Sequence, residues 1–103
     1  MNKLAYVCAP LRPDKEHAID QHIAFCYDYA KKIANKGYVP IVPHFMFPFL
    51  DDRIKAQRDW ALEADLEILK RCDILFVCTN KQSEGMNKEI EFAIENGIEV
   101  SHV

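Results

Sequence analysis

The sequence has three glycines, too widely spaced for a Gly-x-Gly-x-x-Gly or a Gly-x-x-x-x-Gly-Lys loop. That removes the tight backbone approach to a pyrophosphate on which NAD and ATP sites depend, and no cofactor is expected. No apolar run approaches the ~20 residues that cross a bilayer. Basic charge is not in excess either: a formal net charge of -3 favours neither a nucleic-acid polymer nor an anionic membrane as partner. The four cysteines (Cys8, Cys26, Cys72, Cys78) never form Cys-x-x-Cys, and His17, His22, His44 and His102 are scattered. The cysteines therefore read as small buried hydrophobes in a reducing compartment, and no metal site is expected. The chain runs straight into a strand, so no signal peptide is expected and a cytoplasmic location is. Repeats, linkers and low-complexity segments are missing, so residues 1–103 are expected to form one domain with one core.

What is present alternates strand and helix. Residues 3–8 form an apolar strand ending at Ala9-Pro10-Leu11-Arg12-Pro13, which two prolines keep extended. Asp14 is a good N-cap, with His17 completing a weaker capping pattern. From there a helix runs to about Lys36, carrying a core stripe of Ile19, Ile23, Cys26, Tyr27, Ala30 and Ile33-Ala34. Gly37 stops it. Residues 38–42 form a second strand, placed at the sheet edge because Pro40 removes a ladder donor. Pro43 to Leu50 is aromatic, proline-punctuated and too irregular for a strand. A second helix covers about Ile54 to Arg71, a third strand Asp73–Cys78, a third helix Met86 to Glu95, and a last strand Ile98-Glu99-Val100, after Asn96-Gly97. This order predicts a single-domain, three-layer α/β fold, Rossmann-like or flavodoxin-like, with four parallel strands in the order 2-1-3-4. The switch point falls between strands one and three, which makes the crevice at Ala9–Arg12 and Thr79–Gly85 the default ligand site.

Several side chains near that crevice admit a functional and a plain reading. Glu89 shares a helix face with Phe92, Ala93 and Asn96; it is a carboxylate at the site or a helix-start glutamate favoured by the dipole. Asp65 lies beside Leu62, Leu66 and Leu69, where a carboxylate needs a partner, a task or exposure to solvent. Tyr6 is mid-strand and seeks a hydrogen bond for its hydroxyl, or simply packs. Ser83 and Gly85 precede a helix whose amides favour an anion, and they also suit a cap and turn. Arg12 faces the same crevice and can meet a phosphate.

Together these residues resemble the nucleoside 2-deoxyribosyltransferase superfamily, which includes the deoxynucleoside 5′-monophosphate N-glycosidases. The resemblance rests on Tyr6 in the first strand, Asp65 in the helix before the third, and Glu89 after the turn at Gly85, with Ser83 and Arg12 matching the glycosidase branch. It spans nearly the whole chain. A narrower likeness joins it to small proteins of Firmicutes and their phages, through Tyr6–Arg12, Pro43–Pro48, Cys72-Asp73 and Ser83–Met86. Two departures stand out. Ala9-Pro10 replaces small loop residues of the family. The sequence also ends at Val103, where family members continue into a neighbouring subunit's site; if that contribution is needed, another element such as the Phe45–Leu50 loop replaces it, or catalysis is impaired.

The resemblance implies cleavage of, or (deoxy)ribosyl transfer from, a nucleoside 5′-monophosphate through a ribosyl-enzyme ester on Glu89. Asp65 would serve the departing base and Tyr6 would orient Glu89, with Ser83, Gly85, Met86, Arg12, Pro10 and His44 as substrate contacts. The rival expectation is a protein that sequesters a nucleotide-derived signal, ADP-ribose-like or cyclic, as a phage anti-defence protein would. Its aromatic loop and Trp60 would stack on the base. Those same aromatics, left exposed around Phe45–Phe49, predict a homo-oligomer.

Overall fold

A computed structural model of the chain describes residues 3–10, 18–79 and 81–103. Among them are strand β1 (Leu4–Cys8), helix α1 (Ile19–Asn35), strand β2 (Val39–Ile41), a 3-10 turn (Pro43–Phe45), helix α2 (Lys55–Leu69), strand β3 (Ile74–Val77), helix α3 (Glu84–Glu95) and strand β4 (Glu99–His102). All pairings are parallel and the order is β2-β1-β3-β4, as the sequence predicts. In register, Tyr6 lies between Ile41 and Leu75, and Cys8 pairs with Val77. The two central strands are buried on both faces, which is why they read as unbroken apolar runs rather than alternating ones.

Strand periodicity divides the core into two layers. Ala5, Val7, Ile74, Phe76 and Cys78 face α1 through Cys26 and Ile33. Tyr6, Cys8, Leu75 and Val77 face α2 and α3 through Leu69, Met86 and Ala93. This two-residue period puts Tyr6 and Cys8 together on the α2/α3 side. All four cysteines are buried and free.

The first helix differs from its sequence expectation at both its start and its face. It begins at Ile19 with Ala18 as N-cap, while Asp14, His17 and the rest of 11–17 lie outside the described residues. Alanine has no side-chain acceptor, so the cap is made by others. The Ala18 N–H donates to Gln21 Oε1 at 2.8 Å, and the Gln21 N–H to the Ala18 carbonyl at 3.1 Å. The buried line of α1 is His22, Cys26 and Ile33, with Ile19, Tyr27 and Ala34 exposed. Tyr27 instead stacks on Phe45, their ring centroids 4.8 Å apart, and Phe45 packs against the core rather than standing open. Strand β2 is the short edge strand that Pro40 allows.

Gly37 and Gly97 follow α1 and α3 with φ of +95° and +70°. A Cβ at Gly37 would meet nothing within 4 Å, so only the backbone conformation resists substitution. Gly37→Ala is expected to cost about 1–2 kcal/mol in urea denaturation. An unchanged midpoint would mean that the turn relaxes.

Candidate active site

The carboxyl ends of β1 and β3 open into a cavity of about 730 Å³, walled by α2 on one side and the start of α3 on the other. Glu89, Asp65, Ser83, Gly85, Met86, Pro10 and His44 all line it. Tyr6 lies beneath, 1% exposed. Arg12 lies outside the described residues.

At the floor the Tyr6 hydroxyl donates a hydrogen bond to Glu89 Oε2. The Cys8 thiol sits 4.0 Å from the other oxygen, Oε1. The strand face that buries Tyr6 thus places two neutral donors against one carboxylate. Burial pushes Glu89 up to about 7; the Asp65 charge adds to this, and the Tyr6 hydrogen bond opposes it. Burial, then the Glu89 charge, holds the Tyr6 phenol far above its ordinary range, so it remains a donor. Burial likewise raises Asp65 to about 6. Asp65 Oδ1 is closed off from solvent and has no hydrogen-bond partner among the described residues. A carboxyl in that condition is stabilised by a proton it can hand to a bound ligand.

The α3 start presents backbone donors to the cavity, with the Glu84 carboxylate in its first turn. Ser83 caps the helix, its Oγ accepting from the Met86 N–H at 3.2 Å. The amides of Glu84 and Gly85, in the first turn, have no partner within the helix. A Cβ on Gly85 would meet nothing within 4 Å, so packing does not require glycine there. On the opposite lip, His44 Nε2 lies 2.5 Å from the Ala9 carbonyl oxygen, which can only accept; Nε2 therefore carries the proton. Burial lowers the His44 pKa, against the Ala9 hydrogen bond, which raises it. The bond ties the 3-10 turn to the end of β1 and fixes the wall at Pro10.

The sequence reading missed the upper wall. Lys55, Arg58, Ala61 and Leu62 of α2, and Lys88 of α3, also line the cavity. Positions 55, 58, 62 and 65 share a helix face at spacings of three or four, so extending the Asp65 face backwards would have found them. Cys8 was within reach too, two residues beyond Tyr6 on the same strand face. Among the described residues no three histidines, cysteines or carboxylates stand together as a metal site, and no helix is long and apolar enough to cross a membrane.

This is a parallel α/β fold whose crevice holds paired carboxyls at the strand ends, the fold seen in 2-deoxyribosyltransferase structures. Over 96% of this chain and 70% of the other, it superposes on the enzyme of Bacillus psychrosaccharolyticus with a TM-score of 0.74 at 17% identity. For the 2-deoxyribosyltransferase of Leishmania mexicana the values are 97% and 63%, a TM-score of 0.65 and 16% identity. Both neighbours are enzymes, and at such identities the likeness is one of fold. Residues 3–103 match a family described as a domain of unknown function, DUF7768, and the chain belongs to that family. No curated protein matches it.

Proposed function

We propose that the protein cleaves the N-glycosidic bond of a nucleoside 5′-monophosphate by way of a ribosyl ester on Glu89. The observation that carries this reading is the floor of the cavity: a carboxyl oriented by Tyr6, facing a second carboxyl whose Oδ1 has no partner among the described residues. A Glu89 oxygen attacks the anomeric carbon as the bond to the base breaks, the bonding pair leaving with the base nitrogen. Asp65 gives its proton to that nitrogen. In the second half Asp65, now ionised, takes a proton from water, the water oxygen bonds to the anomeric carbon, and Glu89 departs as carboxylate. If a second base replaces water, the same ester yields transfer. Tyr6 keeps Oε2 engaged, which leaves Oε1 as the attacking atom. Ser83 and the Glu84 and Gly85 amides hold the 5′-phosphate, a remote anchor that fixes the sugar against Glu89. Pro10, Met86 and His44 form the walls around it. Copies associating through the exposed Phe49, Met46 and Trp60 surface belong to the same proposal.

Incubating the protein with a panel of nucleoside 5′-monophosphates, followed by chromatography, tests it. Free base is expected, and it should disappear in Glu89→Ala. Recovery of bound, intact nucleotide with no base released would replace catalysis by sequestration.

A further inference from the structure

The cavity also carries a charge pattern to which the chemistry proposed at its floor gives no role. Lys55, Arg58 and Asp59 of α2 and Lys88 of α3 stand around the same opening. Asp59 is taken by Lys55 at 2.7 Å, an i,i+4 pair. Arg58 and Lys88, by contrast, have no carboxylate within ion-pair distance among the described residues. Both lie close enough to Asp59 to help hold its carboxyl below the ordinary range, behind the larger effect of the Lys55 hydrogen bond. Two helices thus bring three cations around one carboxylate, in a chain whose net charge is negative. Asp52 and Glu84 also line the opening and temper its field, and Lys81 adds to it. Two cations on two helices of a concave site, neither ion-paired to a carboxylate among the described residues, are arranged for a ligand anion.

The position says where on the ligand that anion lies. Arg58 is two helical turns from Asp65, about 10 Å along the α2 axis. The proposed 5′-phosphate site, at Ser83 and the first amides of α3, lines the same cavity on the Lys88 side. We infer that Arg58 and Lys88 form a second anion subsite, and that the ligand is a nucleotide carrying two phosphate groups rather than one. This rests on the proposed floor chemistry for its nucleotide identity, but not for its anion binding. The shared chemistry is the second phosphate, and its two sources are a 5′-diphosphate chain and a 3′,5′-bisphosphate.

Calorimetric titration of the turnover-silenced Glu89→Gln protein separates them, using nucleoside 5′-monophosphate, 5′-diphosphate, 3′,5′-bisphosphate and inorganic pyrophosphate at two salt concentrations. One of the two-phosphate nucleotides is expected to bind on the order of tenfold more tightly than the monophosphate. Arg58→Ala with Lys88→Ala should erase that difference, flatten its salt dependence and move monophosphate affinity far less. Both side chains are on exposed residues, so the variants should melt as the parent does. Equal affinity for one and two phosphates in the parent overturns the subsite, as does a double variant that weakens all nucleotides alike. If no nucleotide binds, the floor reading fails by itself, and pyrophosphate decides the subsite: binding that needs Arg58 and Lys88 sustains it, and no binding ends it.

Discussion

Glu89→Gln is expected to extinguish base release while making the folded chain more stable above neutral pH. The first effect follows from removing the attacking oxygen anion; a loss of roughly 10³-fold or more is the ordinary result when a covalent nucleophile is deleted. The second follows from burial. Glu89 has a folded-state value of about 7 against an ordinary 4.5, so the folded chain binds this proton more tightly than the unfolded one. Its contribution to stability is fully present below about pH 4.5 and is lost as pH rises through about 7. At pH 8 the ionised, buried side chain costs on the order of 3 kcal/mol relative to a neutral one. Glutamine is neutral at every pH and can still accept the Tyr6 hydrogen bond through Oε1. Urea denaturation should therefore find the two proteins similar at pH 4.5 and the variant more stable at pH 8. Asp65, also raised by burial, gives a residual dependence of the same sign in both proteins. A variant less stable than the parent at pH 8 would show that Glu89 is not the buried, proton-retaining group described above. A fully active variant would remove it from the chemistry.

A buried carboxyl of this kind is visible in the sequence only in part. The sheet order could be read because the strands are unbroken apolar runs and the helices end at glycines with positive φ, Gly37 and Gly97. Tyr6, Asp65 and Glu89 could be placed on one crevice because strand and helix periods are fixed by backbone geometry. The contact between Tyr6 and Glu89 spans 83 positions, and no local pattern encodes it. The start of α1 misled for a local reason: Asp14 is the stronger capping residue, whereas the helix begins where Gln21 can reach the Ala18 amide. The face of α1 misled for a tertiary one, since Tyr27 packs against Phe45 rather than against the sheet. Periodicity shows that some face of α1 is apolar, not that an aromatic neighbour will hold one residue of that face aside. The cationic wall was passed over because the reading of α2 followed its leucines, and its hydrophobic face is broken by Lys55, Arg58 and Asp59 where it meets the cavity.

Asp65→Asn is expected to divide substrates by the basicity of what they release. For an ordinary base, which must be protonated as it departs, losing the general acid should slow release about 10²–10⁴-fold. For an N7-methylated purine the departing base is already neutralised by its own positive charge, and the loss should shrink to about tenfold or less. The pH profile of the proposed reaction gives the same division from the protein's side. In the proposed reaction attack needs Glu89 ionised and departure needs Asp65 protonated, and burial raises both carboxyls, to about 7 and about 6. The productive form of the pair holds one proton, and the parent profile should be a bell in the range of those values, its limbs belonging to the pair. Asparagine removes the alkaline fall. It also removes the Asp65 charge that helps hold Glu89 up, so the remaining rise should move to lower pH. Equal losses for both leaving groups, with the bell intact, would show that Asp65 holds the cavity in shape and gives no proton. Unequal losses would mean that its missing hydrogen-bond partner is the base.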